Sequence, residues 1–206
     1  ADAVLLGGEH QAMGLWAQHD IVVEIGVDER GAVESVQWEE FLPGGPPGSW
    51  DGAWVSLAGN PMLLVGDRLY FWYSGKPQAH GTAGMAEAAI GVVTLRKDGF
   101  VALRSGIRGG DVMTEPVEVA GPKLYLNALS YFGRVQIRVI EDVSVPSGYS
   151  FEECNGLERA DETDFEVTWG EERRDLAPLV GRKVRLHIQA DNATSLFSYR
   201  FGEGRQ

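Results

Sequence analysis

The sequence predicts an all-β protein built from many short strands. Its 206 residues include 27 glycines and 9 prolines, which are scattered along the chain as turn residues are and do not gather into one linker. Short apolar runs recur between these turn residues, as is typical of strands. Helical signal is almost absent, since only Ala83–Ala89 and Asp175–Val180 predict short helices, the second followed by Gly181.

The first hundred residues predict three hairpins and one long loop. Residues 20–42 alternate apolar runs with a turn at 28–31, and this is a hairpin pattern. Residues 43–54 (PGGPPGSWDGAW) are too rich in proline and glycine for a regular strand and predict a loop. Residues 62–74 predict a second hairpin with its turn at Gly66-Asp67, and residues 90–104 predict a third with its turn at 97–99.

From about residue 105 the chain predicts evenly spaced strands. Val135, Ile137 and Val139 alternate with Gln136 and Arg138, a pattern that gives a strand one buried and one solvated face. Strands of this spacing are typical of a β-sandwich. We therefore expect one structural region over 1–105 and a β-sandwich domain over 106–206.

Charge and length exclude some classes of partner. The net charge is -12 with a pI near 4.7, whereas nucleic acid and anionic membranes favour clustered Lys and Arg. Neither partner is expected. No apolar run approaches the roughly 20 residues that cross a bilayer, so the sequence predicts a soluble chain. The single cysteine, Cys154, predicts a packed thiol without a disulfide or zinc role.

The first residues, ADAVLLGGEHQAMG, show no initiator methionine and none of the basic and apolar zones of a secretion signal. We expect from this that the natural N terminus has been processed or lies further upstream. The compartment cannot be read from these residues, and a secreted or periplasmic location stays open.

The order of segments resembles the last part of a known family. GPPGSWD, LLVGDRLYFWYSG, His80-Gly81 and AIGVVTLRKDGFVALRSG follow one another as they do near the end of five-bladed β-propeller proteins of the furanosidase-like glycoside hydrolase group, which includes invertases and arabinanases. Residues 124–201 are similar to the sandwich that follows the propeller in these proteins. The resemblance implies the last blades of an incomplete propeller over 1–105 and a jelly-roll or concanavalin-like sandwich over 106–206.

The resemblance also implies a function on glycans. The chain looks like the C-terminal portion or a subunit of a propeller glycoside hydrolase-like protein acting on a furanoside or similar glycan. The alternative is a non-catalytic carbohydrate-binding or protein-assembly module. Catalytic carboxylates of the family lie on earlier blades, so no catalytic residue is assigned here. Glu153-Cys154 matches an invertase-like pair, but it lies in the sandwich half with no Asp-Pro-Asn-Gly or Arg-Asp-Pro motif before it.

The number of residues that a propeller blade needs predicts a missing partner. A blade takes roughly 40 to 50 residues, so the first hundred residues build about two of the roughly four to eight blades that close a ring. Apolar flanks rich in aromatic residues, including Trp50, Trp54 and Tyr70–Tyr73, would then face water. We expect a second chain, an upstream segment or a dimer mate to complete the propeller, and a second chain is the first hypothesis.

Three residues are candidates for substrate binding. Trp50 and Asp51 end the long loop, and an aromatic face beside a carboxylate suits a sugar ring and its hydroxyls. A cap or turn role for Asp51 is the alternative. His80 is expected on a loop near the channel of the propeller, with a turn histidine as the alternative.

Other polar and aromatic residues predict structural roles. His10, His19 and His187 show no partner spacing, and Asp67 and Asp98 suit tight turns. The acidic run 158–166 could supply calcium ligands but lacks the spacing of a known calcium loop, so a solvated loop is expected. No cofactor is predicted, and a structural calcium stays open. Four aromatic residues of the second half are expected in the core rather than on a carbohydrate-binding face: Tyr125, Tyr131, Trp169 and Phe197.

Overall fold

The computed structural model describes residues 21–27, 33–59, 62–79, 82 and 87–203, with only the strand backbone described before residue 41. The described residues form an all-β protein, which confirms the predicted class. The strands are β1 Ile21–Val27, β2 Val33–Glu40, β3 Trp54–Leu57, β4 Leu63–Val65, β5 Arg68–Lys76, β6 Ala89–Arg96, β7 Val101–Ser105, β8 Gly110–Met113, β9 Val117–Glu118, β10 Lys123–Leu129, β11 Arg134–Ile140, β12 Cys154–Asn155, β13 Leu157–Glu158, β14 Asp161–Trp169, β15 Lys183–Ala190 and β16 Ser195–Gly202.

The strands form three antiparallel sheets in two compact units. The larger unit contains residues 101–203 with most of β1 and β2, and the smaller contains the described residues between 38 and 100. A seven-stranded sheet has the order β12-β14-β10-β16-β7-β1-β2. A five-stranded sheet has the order β13-β11-β15-β8, with β9 also paired to β15. The sheets of the described residues close into neither a barrel nor a propeller.

One hydrophobic core joins the two sheets of the larger unit. Leu124, Leu126 and Ala128 of β10 belong to the same buried cluster as the inward residues of β11 and β15. On β11 the inward set is the predicted one, because Val135, Ile137 and Val139 are fully buried while the residues between them are not. The side chain of Trp169 crosses this core and its Nε1–H donates to the carbonyl of Ile137 at 2.9 Å. The predicted alternation of β11 is therefore confirmed.

The smaller unit holds a four-stranded sheet centred on β5. Strand β4 pairs with the first part of β5, β3 pairs with the last part, and β6 pairs along the whole opposite edge. The β4–β5 pair is the predicted hairpin, with Gly66 in the left-handed region at φ 62°. An antiparallel sheet of this kind gives two different faces, which determine where the candidate site lies.

Two sequence predictions about strand pairing are corrected. Residues 90–104 do not form a hairpin, because β6 pairs with β5 while β7 pairs with β16 and neighbours β1. Strands β1 and β2 are neighbours, as expected, but they extend the seven-stranded sheet. The described part of the first hundred residues therefore contributes one separate sheet where two were expected. Turn residues at 97–99 correctly marked a break, but not which strands pair across it.

The predicted helix at 175–180 is present as a short 3₁₀ helix, Ala177–Leu179. Leu176 is its N-cap residue, and the carboxylate of Asp175 just before it accepts a hydrogen bond from the amide of Ala177 at 2.9 Å. Gly181 follows in the left-handed region at φ 80°. The other predicted helix, 83–89, lies largely outside the described residues, and residue 89 begins β6.

Candidate functional site

The long loop before β3 folds around the carboxylate of Asp51. One oxygen, Oδ1, accepts a hydrogen bond from the hydroxyl of Ser49 at 2.9 Å, and the other, Oδ2, accepts one from the hydroxyl of Tyr73 at 3.0 Å. The loop thereby connects to the centre of β5. Burial first, and then the hydrogen bond to Asp51, raise the pKa of Tyr73, which keeps its hydroxyl a donor at neutral pH.

The indole of Trp50 stacks on the ring of Tyr73. Their centroids are 5.5 Å apart and their planes meet at 26°. Two glycines make room for this pair, since a Cβ on Gly75 would overlap the Trp50 ring and one on Gly91 would overlap the Tyr73 ring. Gly91 lies directly opposite Tyr73 in the β5–β6 register. The sheet therefore holds the two rings at a fixed place, and 41% of Trp50 remains exposed.

A cavity of about 550 Å³ lies beside the exposed indole. Trp50, Pro77 and Glu87 line it together with three small residues: Gly48, Ala88 and Ala89. The wall therefore combines a flat aromatic surface with one carboxylate. Aromatic faces bind the apolar side of a sugar ring, and carboxylate oxygens accept hydrogen bonds from its hydroxyls. The volume lies within the range of small-ligand pockets.

The structure brings two of the three predicted substrate-binding residues together. Trp50 lines the cavity, and Asp51 lies behind it, with both carboxylate oxygens already accepting hydrogen bonds. His80 lies outside the described residues, and its binding role stays a prediction. Sequence reasoning missed Glu87, which stands in a segment of small residues without a motif. It also missed Tyr73, whose alternation in β5 places it on the face that bears Gly75 and Gly91.

His187 was expected to be a structural histidine in an alternating strand. It lies on the solvent side of β15, where its Nε2 is 2.7 Å from Oδ1 of Asp111. Arg138 donates its Nε–H to Nδ1 of the same ring at 2.9 Å. Because Nδ1 accepts, the proton lies on Nε2 and is donated to Asp111. Spacing along the sequence could not reveal this cluster, since its members come from three strands that are distant in the chain.

The acidic run 158–166 is a strand in place of the expected solvated loop. Residues 161–166 of the run belong to β14, where Glu166 pairs with Lys123 at 2.9 Å and Asp164 pairs with Arg200 at 2.7 Å. These carboxylates therefore face basic residues of neighbouring strands. Within the described residues no group of three or more His, Cys, Asp or Glu is placed to hold a metal ion.

The predicted core aromatic residues divide into two groups. Tyr125 and Trp169 are fully buried. The guanidinium of Arg200 stacks on the ring of Tyr125, with its Cζ 4.0 Å from the ring centroid. Phe197 is half-buried, whereas Tyr131 is 70% exposed, so the core prediction is wrong for Tyr131. Tyr131 follows β10 in a turn, where the apolar pattern of the strand no longer applies.

Comparison with known proteins gives no family assignment. No protein-family model matches the chain, and the searches of curated proteins and of solved structures also found no match. No helix in the described part of the chain is long and apolar enough to cross a membrane.

Proposed function

We propose that this chain is a glycan-binding portion of a glycoside hydrolase-like protein. The observation that carries the proposal is the indole of Trp50, held on Tyr73 and exposed beside a cavity with the carboxylate of Glu87 in its wall. In this proposal Trp50 stacks on the sugar ring and Glu87 accepts hydrogen bonds from sugar hydroxyls. Asp51 acts as a positioning residue, because one carboxylate oxygen accepts a hydrogen bond from Ser49 of the loop and the other accepts one from Tyr73 of β5.

Binding is proposed for this chain in preference to hydrolysis. Glycosidases use two carboxyl groups that flank the bond to be broken. Among the described residues that line the cavity, Glu87 is the one that carries a carboxylate. Hydrolysis of a furanoside or similar glycan is therefore assigned to the larger assembly, whose catalytic carboxylates would lie on other blades.

The proposed architecture is the end of a propeller followed by a sandwich. The smaller unit is an antiparallel sheet of short strands, as a propeller blade is, although β3 and β4 share one edge of β5 and the sheet is therefore three strands wide. Two sheets with one shared core, as in the larger unit, are the layers that a sandwich requires. Both features support the proposal without depending on the glycan.

A partner is part of the proposal, because one face of the smaller sheet is apolar and exposed. Register places Leu63, Val65, Ile90 and Val92 on the same face of that sheet, and each is at least 52% exposed. Arg68 and Arg96 lie directly opposite each other on this face. We propose that a second polypeptide with an apolar face and an acidic rim covers it. A second copy of the chain, with net charge -12, would bring the same two arginines against each other in a two-fold contact.

Replacing the indole tests the glycan proposal. A panel of arabinan, fructan and xylan oligosaccharides is titrated into the wild type and into Trp50→Ala by calorimetry. At least one glycan is expected to bind, and Trp50→Ala should weaken it about tenfold, since losing a stacked ring costs ~1.5 kcal/mol. Tyr131→Ala removes another exposed aromatic residue, in the larger unit, and should leave the affinity unchanged.

Three outcomes would contradict the proposal: no binding across the panel, equal binding by the Trp50→Ala protein, or equal weakening by Tyr131→Ala. An assay with aryl glycosides on the same samples separates binding from turnover. Hydrolysis by the isolated chain would overturn the assignment of catalysis to other blades.

A further inference from the structure

A second cavity lies on the solvent face of the five-stranded sheet, in the larger unit. It has a volume of about 320 Å³ and is lined mainly by polar side chains: Arg108, Asp111, Arg134, Gln136, Gln189 and Asp191. Three adjacent strands form its floor. Register places Asp111 of β8 opposite Gln189 of β15, and Gln189 opposite Gln136 of β11. These three side chains therefore form one polar row across the sheet, on the face away from the core.

The cavity offers two cationic donors with unused hydrogen-bonding capacity. Arg108 is exposed and makes no side-chain hydrogen bond or ion pair with any described residue. Arg134 donates its Nη2–H to the carbonyl of Cys154 at 3.1 Å, but its Nε is buried and has no hydrogen-bond partner among the described residues. A buried donor without a partner costs free energy unless a ligand or water satisfies it. Arginine donors suit the oxygens of a carboxylate.

The acceptors of the cavity are held in place by the protein. Oδ1 of Asp111 accepts a hydrogen bond from Nε2–H of His187 and another, at 3.5 Å, from the side-chain amide of Gln189. Oδ2 of Asp111 has no partner among the described residues. Arg138 fixes the ring of His187 from the other side. Gln136 donates its amide to the carbonyl of Phe151 at 2.6 Å, which leaves its own side-chain oxygen as an acceptor. Free acceptors of this kind suit hydroxyl groups.

The second aspartate of the cavity, Asp191, is held in place by the backbone. Oδ1 of Asp191 accepts a hydrogen bond from the backbone amide of Arg134 at 2.7 Å, so this carboxylate acts on the turn before β11. The unused donors belong to the two arginines, and the unused acceptors are Oδ2 of each aspartate and the side-chain oxygens of Gln136 and Gln189. A ligand that carries both a carboxylate and hydroxyl groups would use both sets.

We propose that this cavity binds an acidic sugar residue, a uronic acid of monosaccharide size. Arg108 and the guanidinium of Arg134 would bind its carboxylate, and Asp111 and Gln136 would accept hydrogen bonds from its hydroxyls. The volume lies at the lower end of small-ligand pockets and suits a single sugar ring. The site belongs to the larger unit, whereas Trp50 belongs to the smaller, so the two binding proposals can fail separately.

Amide NMR titration of the ¹⁵N-labelled protein tests the proposal. D-Glucuronate and D-galacturonate are compared with D-glucose, D-galactose and acetate at millimolar concentrations. Uronate should shift the amide signals of Gly109 and Gly110, which line the cavity, with saturation. The neutral sugars, which lack the carboxylate, and acetate, which lacks the hydroxyls, should each bind more weakly. Methyl glucuronoside distinguishes two sources of the ligand: binding equal to that of the free acid indicates a residue within a glycan, and loss of binding indicates a free sugar acid.

Matched variants assign the binding to the cavity. Arg108→Gln should weaken uronate binding about tenfold, as expected for the loss of a hydrogen bond to a charged group, and should leave the weak response to glucose unchanged. Asp111→Asn should weaken it as well. Arg173→Gln removes an exposed arginine elsewhere and should have no effect, and Trp50→Ala should have none either. The absence of a uronate response, equal binding of glucose or acetate, or unchanged affinity in Arg108→Gln would each overturn the proposal.

Discussion

Cys154 shows how the surroundings of one residue determine its chemistry. The thiol is buried in the core of the larger unit, and its sulfur accepts a hydrogen bond from the amide of Ile137 at 3.2 Å. Burial raises its pKa from 9.0 to about 11, although the Ile137 amide and the charge of Arg134 act in the opposite direction. The predicted packed thiol is therefore confirmed, and Cys154 is a poor nucleophile in the folded protein.

The raised pKa predicts a loss of stability in alkali. The unfolded thiol ionises near pH 9 and the folded one near pH 11, so the contribution is fully present below pH 9 and is lost as pH rises from 9 to about 11. At pH 10 the expected loss from this residue is about 1.4 kcal/mol. Urea unfolding at pH 8 and pH 10 measures it. Tyr149 and Tyr199, whose pKa values are also raised by burial, add to the total loss.

The Cys154→Ala variant separates the contribution of Cys154 to the alkaline loss of stability from that of the tyrosines. The variant should be less stable than the wild type at pH 8, because it leaves a small cavity, but it should lose less stability between pH 8 and pH 10. An equal loss in the two proteins would contradict the assignment to Cys154.

Residues whose role depends on one strand were predictable from the sequence, and residues whose role depends on several strands were not. Burial of Val135 and Ile137 follows from alternation along a single strand, and burial of Trp169 follows from the preference of large aromatic side chains for the core. The contacts of His187 depend on β8 and β11, whose order beside β15 the sequence does not give. Trp50 could be selected because loop composition points to it, whereas its partner Tyr73 depends on how the loop folds onto β5.

At the scale of the element, the pairing of glycine with aromatic rings determines the shape of the candidate site. Gly91 on β6 lies opposite Tyr73 on β5, and the space that a Cβ would occupy is filled by the ring. The ring in turn carries Trp50 on its face and donates its hydroxyl to Asp51. Because Gly91 has no side chain, the Tyr73 ring has room to contact the loop that carries Trp50 and Asp51, which is distant from β6 in the sequence.

Gly91→Ala should disturb this arrangement. The added methyl group displaces the Tyr73 ring, so we expect a loss of roughly 1 to 3 kcal/mol in unfolding free energy and weaker glycan binding. Urea unfolding measures the first and calorimetry the second. Gly59→Ala is the matched control, since a Cβ there meets nothing and the backbone needs no left-handed conformation. If the added methyl group destabilises the protein by displacing the Tyr73 ring, Tyr73→Ala should lower the unfolding free energy less in the Gly91→Ala background than in the wild type. Equal costs would contradict this explanation.

Hairpins were predictable where a tight turn joins two strands of the same sheet, as in β4 and β5. The prediction failed between β6 and β7, because the turn at residues 97–100 passes the chain from one sheet to another. A turn signal gives the place of a chain reversal, while the pairing depends on which open edge the next strand meets. The acidic run of β14 was misread for a related reason, since its cationic partners lie on β10 and β16.

At the scale of the whole molecule, exposed apolar surface distinguishes one sheet from the others. The apolar face, defined by Leu63, Val65, Ile90 and Val92, is exposed on the smaller sheet, whereas the inward faces of the larger unit are fully buried. Soluble monomers seldom expose a contiguous apolar surface of this kind without a partner. Strand β4 adds to the exposure, since all three of its residues are exposed and its described pairing is to β5 alone.

The apolar face predicts the behaviour of the purified chain in solution. In the absence of the proposed partner, the chain should bind a hydrophobic dye such as ANS and form polydisperse species that increase with concentration, as light scattering after gel filtration would show. Ile90→Lys combined with Val92→Lys should reduce both signals, because it places charge in the centre of the face. Val143→Lys is the matched control, since Val143 is 98% exposed in the larger unit and lies outside the apolar face.

A discrete dimer would show that a second copy covers the face and would overturn the proposal of an acidic partner. A well-behaved monomer of 22.5 kDa that binds no dye would remove the need for any partner, and the incomplete propeller would lose its main physical support.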